Sequence, residues 1–169
     1  AFHLKPHKIW NLDGSKVVDV VTSGYTKGTK GTDGKSYVID LFRTTPLDIE
    51  FIEENFDSSK EDSYPHRETV LRLEAINEWI KRETAVVAKK EAERLEKEGK
   101  SSTEIKETIG IDNSLFLLNP DAFSLSPAPT PELAKELKDD EDKIREVSKF
   151  VSQVLVPEFV KEMEKAEVY

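Results

Sequence analysis

At 169 residues the chain fits one domain with a core of its own. The absence of cysteine excludes disulfides, thiolate catalysis and cysteine-built zinc sites, while a charged fraction of 35% against 37% hydrophobic suits a globular protein with long solvated helices. Residues 1–45 carry seven Lys/Arg against four Asp/Glu, net +3, and residues 46–169 carry eighteen against thirty, net −12. The second part therefore repels nucleic acid, and any RNA contact falls to Lys27, Lys30, Lys35 and Arg43, with Lys5 and Lys8, in the first.

No apolar run approaches a membrane span, so the chain reads as soluble and cytoplasmic, without membrane insertion. It opens without an initiator methionine, as a fragment of a longer protein would. The expected fold class is α+β, a small antiparallel β-meander packed with several helices, two of them long. The whole chain, 1–169, is read as a single domain, mainly β over 1–45 and mainly α over 46–169.

Residues 1–12 hold Phe2, Leu4, Ile9 and Trp10 in no helical order and predict an extended segment packed on the sheet. Asp13-Gly14 marks a turn, and the β-branched run 16–22 predicts a strand that Ser23-Gly24 breaks. Residues 25–29 pair next, and Asp33-Gly34 makes a tight turn, since glycine adopts positive φ without steric cost. After it Tyr37, Val38, Ile39, Leu41 and Phe42 form an apolar, β-favouring run that predicts a strand covered on both faces. Gly24, Gly28, Gly31 and Gly34 make no phosphate loop, because no helix starts behind them.

Asp40 interrupts that run. A carboxylate there needs a partner, so it is either a structural mate of Arg43 or of a backbone amide, or else a metal or catalytic group. Thr45 and Pro46 predict a helix start, with Asp48 at the positive end of its dipole and Leu47, Phe51 and Ile52 on the inner face. Residues 57–63 are a polar loop. Tyr64-Pro65-His66-Arg67 re-enters the fold, with His66 as a packed, hydrogen-bonded histidine rather than a catalytic one, since no triad relation surrounds it.

Ile76, Trp79, Ile80, Val86, Val87 and Leu95 advance at helical spacing and predict a long helix over 74–97, its polar second half projecting as a solvated arm until Gly99. Ser101-Ser102-Thr103-Glu104 is a capping box opening a short helix to 108. Residues 115–118 are an extra strand or a buried extended segment. Residues 124–131 read as a proline-rich surface linker, a spacer before a ligand for an SH3 or WW domain. Thr130 and Pro131 start the last helical region, in which Ile144, Val147, Phe150, Val151, Val154 and Leu155 form a stripe. Asp139-Asp140-Glu141-Asp142 lacks the glycine and glutamate of a calcium loop and reads as a solvated face, and Pro157 kinks or restarts the helix.

The run from Gly31 through Asp33, Gly34, Tyr37-Val38-Ile39-Asp40-Leu41-Phe42-Arg43-Thr44-Thr45-Pro46-Leu47 to Asp48, followed by Tyr64-Pro65-His66-Arg67 and Leu71-Arg72, closely resembles the central domain of the clustered mitochondria family. Leu118-Asn119-Pro120-Asp121-Ala122-Phe123 and the segment 151–160 with Val156-Pro157 resemble the family region that follows, the one associated with translation initiation factor three. Three separated motifs in order make the resemblance more specific than any one of them. It implies a large cytoplasmic factor needed for mitochondrial distribution that associates with messenger RNAs for mitochondrial proteins. Its implied partners are the remaining domains of a parent protein, translation initiation factor three, ribosomes and mRNA. Asp33, Gly34, Asp40, Arg43, Pro46, Tyr64, Pro65 and His66 are then structural motif residues, and no catalytic role carries over to them.

The residues themselves contain no recognisable catalytic constellation, and no cofactor is expected. They predict a non-enzymatic scaffold or interaction domain. The alternatives are direct RNA binding through the basic β face and a phosphotransferase-like half-site centred on Asp40.

Overall fold

Two β-hairpins precede a helical body, which makes the chain α+β as its sequence predicts. The computed structural model describes residues 2–63 and 68–166, so Tyr64, Pro65 and His66 lie outside the described residues. The β part differs from a single meander: strands β1 (His7–Trp10) and β2 (Val17–Val20) form one antiparallel pair, and β3 (Lys27–Lys30) and β4 (Ser36–Ile39) form another. The first segment is thus a sheet member, with His7 opposite Val20 and Trp10 opposite Val17. The sheets separate because Asp121 takes the Gly24 N–H at 2.7 Å and the Ser23 hydroxyl at 2.7 Å, drawing the connection away from a ladder.

The second hairpin turns over Gly31 to Gly34, closed by the Gly34 N–H on the Gly31 carbonyl at 3.0 Å, with Gly34 at φ 79°. It is a longer loop than the two-residue turn expected from Asp33-Gly34. Asp40, at φ 60°, then swings the chain into a 3-10 turn, Leu41–Arg43. Asp tolerates this left-handed conformation better than a branched residue would.

The first helix, α1, runs over Ile49–Asn55 and is capped by Asp48, whose Oδ1 accepts from Phe51 N–H. Thr45 and Pro46 do not start it: Thr45 lies in a bend after the 3-10 turn, and from Pro46 the chain pairs with residues 69–71. The Pro46 carbonyl accepts from Leu71 N–H and the Asp48 N–H donates to the Thr69 carbonyl, both at 2.8 Å. That pairing holds the two residues out of the helix.

Helix α2 covers Leu73–Lys97, near the expected span. It ends in a Schellman turn, with Gly99 at φ 84°, the Lys100 N–H on the Leu95 carbonyl and the Gly99 N–H on the Glu96 carbonyl. The turn lets α3 (Ser102–Thr108), opened by the predicted capping box, fold back on α2. Leu95 and Ile105 are both buried, so α3 covers the Leu95 side of the end of α2, while the charged residues around it stay exposed as its charge suggested.

Residues Asn113–Phe116 form a 3-10 turn, after which Leu118 bridges in parallel to Leu4. Residues 124–131 do not simply skirt the surface: Trp10 Nε1 donates to the Ser126 carbonyl at 3.1 Å, and Pro129 sits beneath Gly14. Helix α4 (Pro131–Phe150) starts as predicted, with Thr130 Oγ1 accepting from Leu133 N–H. A π-turn, Val151–Leu155, joins it to α5 (Val156–Lys165). Pro157 lacks an N–H, and this widened turn absorbs the missing bond without breaking the helical path.

The core gathers Leu71, Ile76 and Trp79 with Phe116, Leu118, Ala122, Ile144 and Val147. Trp79 and Phe116 meet edge to face, their centroids 6.2 Å apart at 80°. Each fully buried aliphatic chain here contributes about 1.5–3 kcal/mol. Helix α1 joins this body through α4: the Ile49 N–H donates to buried Ser148 Oγ, and Arg145 grips Glu53 through two donors at 2.6 and 2.8 Å.

Candidate interaction surface

The β half is pinned to the helices by a ring of buried polar contacts. His7 Nε2 stands 3.0 Å from Asp121 Oδ2, and His7 Nδ1 stands 2.9 Å from the Lys5 carbonyl. Both partners are acceptors, so the protonated imidazole, which can donate from both nitrogens, is the form this setting favours. Asp121 answers it with hydrogen bonds from Ser23 and Gly24 as well. Its own N–H donates to Asn119 Oδ1, and Asn119 Nδ2 donates to Asp140 Oδ2, each at 2.9 Å. Lys5 Nζ closes the ring on Asp140 Oδ1 at 2.6 Å.

Burial pulls the His7 imidazole down, but the bonds to Asp121 and the Lys5 carbonyl outweigh it and hold the group above its ordinary value of 6.5. Burial likewise pushes the Asp121 carboxyl up, and the donors from His7, Gly24 and Ser23 bring it below its ordinary 3.8. Asp140, expected in a solvated acidic cluster, is therefore one of the buried polar residues. Ser23, His7 and Asp121 do not form a nucleophilic triad. The serine donates to the carboxylate, and the histidine has no lone pair left to take its proton.

This ring fixes where the second hairpin stands, and that hairpin is bare. Tyr37, Val38, Ile39, Leu41 and Phe42 are between 44% and 62% exposed. The strand expected to be covered on both faces is thus open on both. A two-stranded hairpin buries too little to be stable alone, and an exposed apolar cluster on a charged protein marks a contact surface.

The cationic candidates on the same half are mostly engaged. Lys27 pairs with Asp40 at 2.7 Å, Lys35 approaches Asp33 at 4.0 Å, Lys8 pairs with Asp19, and Lys5 is held by Asp140 and Glu136. Among the described residues Lys30 makes no ion pair. Arg43 lies inside, 2% exposed, its guanidinium 4.5 Å over the Tyr25 ring and bonded to Ser124 Oγ and Glu68. An arginine so enclosed is out of reach of a phosphate backbone, which removes it from the RNA-contact set. Asp40 meets Lys27 rather than Arg43, because the left-handed turn at Asp40 sends the two side chains apart. Among the described residues no three His, Asp or Glu side chains are grouped as metal ligands.

The functional placement of His7, Ser23 and Asp121 was not visible in the sequence. The Asn119-Pro120-Asp121 step was its one local signal, a turn motif with a carboxylate inside an apolar surround. No helix among the described residues is long and apolar enough to cross a membrane.

The family model for clustered mitochondria matches residues 1–51, the two hairpins and the start of α1. The clustered mitochondria protein homolog of Debaryomyces hansenii is 51% identical over 98% of this chain, which spans 12% of that protein. Those of Candida albicans and Coccidioides immitis are 47% and 33% identical over 96% and 99% of the chain, which covers 13% and 15% of their lengths. No solved structure matches the chain significantly. With about half of the aligned residues identical over nearly the whole length of the chain, the chain belongs to the clustered mitochondria family.

Proposed function

We propose that this chain is a non-catalytic scaffold and interaction piece of a cytoplasmic clustered mitochondria protein, acting in mitochondrial distribution and in the handling of mRNAs for mitochondrial proteins. The observation that carries the reading is the β3–β4 hairpin, whose apolar side chains face solvent on both sides while a buried ion-pair ring holds its base. A surface of that kind makes contacts. Its counterpart is the remainder of the parent protein, since the relatives are roughly eight times longer than the stretch this chain matches. Translation initiation factor three, ribosomes and mRNA are partners of the assembly that such contacts would build.

The test replaces the resident protein of a yeast with the full-length protein carrying Val38→Glu and Phe42→Glu. Clustered mitochondria at unchanged protein abundance are the expected result, and a normal network would overturn the reading. Lys27→Glu with Lys30→Glu and Lys35→Glu should leave the network intact; the reverse pattern would put RNA contact first. Incubation of the purified chain with ATP and generic acyl and glycosyl substrates should give no turnover.

A further inference from the structure

Between the start of α2 and α5 the helical body leaves an open groove of ≈ 870 Å³. Leu71 and Ala75 form its buried floor, and Leu155 and Phe159 stand on its far wall. On α5, Val156, Phe159, Val160 and Met163 follow one another at i, i+3, i+4 and i+7, each between 45% and 60% exposed; Val156 and Phe159 line the groove, and Val160 and Met163 continue the stripe beyond its lining. An amphipathic helix whose apolar stripe stays in water has gained little for the cost of its ordering. Yet α5 is held in place. Arg82 of α2 donates to both carboxylate oxygens of Glu158, at 2.6 and 3.3 Å, and stacks 5.1 Å over the Phe150 ring. This pair links the two walls across the groove.

Its rim is acidic. Asp48, Glu74, Glu78, Glu158 and Glu162 line it against Arg72 and Arg82, a net of −3, and both arginines are already paired with these same glutamates. Two copies of this face would repel each other, which argues against self-association here. Helical ridges on both walls suit a third ridge of the same periodicity. We propose that the groove receives a basic amphipathic helix of a separate protein, its apolar residues at i, i+3, i+4 and i+7 seated between α2 and α5 and its lysines and arginines against the acidic rim. The inference rests on the chain being a contact-making piece. It uses none of the β3–β4 residues, so its failure leaves the hairpin test standing.

The probe is a labelled designed helical peptide with leucine at those four positions and lysine on the flanks, beside a twin with glutamate in place of lysine. Anisotropy is read against the full chain at low and high salt. The lysine peptide should bind roughly tenfold tighter than its twin and lose that margin as salt rises. Phe159→Ser should weaken it roughly tenfold with helicity by circular dichroism unchanged. Glu74→Lys with Glu162→Lys leaves the apolar wall intact and should reverse the preference between the twins, which keeps the test decisive even were Phe159→Ser to loosen α5. Equal binding of the twins, no binding of the lysine peptide at millimolar concentration, or binding indifferent to both variants would overturn the proposal. A dimer that Phe159→Ser dissolves would also overturn it and make a second copy the occupant.

Discussion

His7 Nε2 lies 3.0 Å from Asp121 Oδ2 with both side chains withdrawn from water, and the other ring nitrogen faces a carbonyl, so the two residues form a buried imidazolium–carboxylate pair. The pair joins β1 to the segment leading into α4, and through Ser23 and Gly24 it also sets the departure of the second hairpin. Removing one member of such a pair is far costlier than the pair's own net worth, because the other is left charged and unsatisfied.

Asp121→Ala is accordingly expected to cost about 3–5 kcal/mol of unfolding free energy, read from urea midpoints. A loss below about 1 kcal/mol would mean that the ring does not hold the β half in place.

The pH dependence follows from the two directions of shift. The raised His7 group contributes stability that is complete below its unfolded value of 6.5 and is lost as pH rises through its higher folded value. The lowered Asp121 group contributes stability present above 3.8 and lost as pH falls through its depressed folded value. Lys5 also belongs to the ring, and although burial pulls its ammonium down, the bond to Asp140 outweighs this and holds it above its ordinary 10.5, far from neutrality. Urea midpoints should therefore be highest in the mildly acidic range and fall on the alkaline side. In His7→Gln that alkaline fall should vanish, and its persistence would assign it to another group.

Leu95→Ala tests whether α3 covers the end of α2. A buried leucine truncated to alanine costs about 2–5 kcal/mol, whereas on a solvated arm it would cost almost nothing. Thermal unfolding separates the two outcomes.

Gly14 and Gly34 both sit at positive φ, but only Gly14 meets a neighbour: an added Cβ would stand 2.6 Å from Pro129 Cβ, while nothing lies within 4 Å at Gly34. Both alanine variants should lose about 1–2 kcal/mol to the left-handed backbone. Gly14→Ala should lose more, as Pro129 must shift. Equal losses would show that residues 124–131 do not pack on the first hairpin.

Val38→Lys with Phe42→Lys should leave the unfolding free energy of this chain within about 0.5 kcal/mol, because neither side chain is buried here. Binding of a hydrophobic dye should drop. Destabilisation by several kcal/mol would mean that the hairpin is packed in solution.

What the sequence by itself determined was the long helices and several of their ends, which depend on neighbours a turn or two away. The α2 and α4 stripes, the Ser101–Glu104 capping box, the Thr130-Pro131 start and the glycine stop at Gly99 are set by side-chain periodicity and backbone preference, so they were legible before any coordinates. Thr45-Pro46 misled because an extended pairing with residues 69–71 outweighed a local start signal. Burial and partnership were decided by the tertiary structure alone. An apolar run states what a strand would gain from being covered, and only the packing decides whether anything covers Tyr37 to Phe42. Arg43 and Asp40, three residues apart, went to opposite environments through one left-handed turn, and His7 found its charge partner 114 residues away. Contacts of that separation are chosen by the free energy of the whole fold.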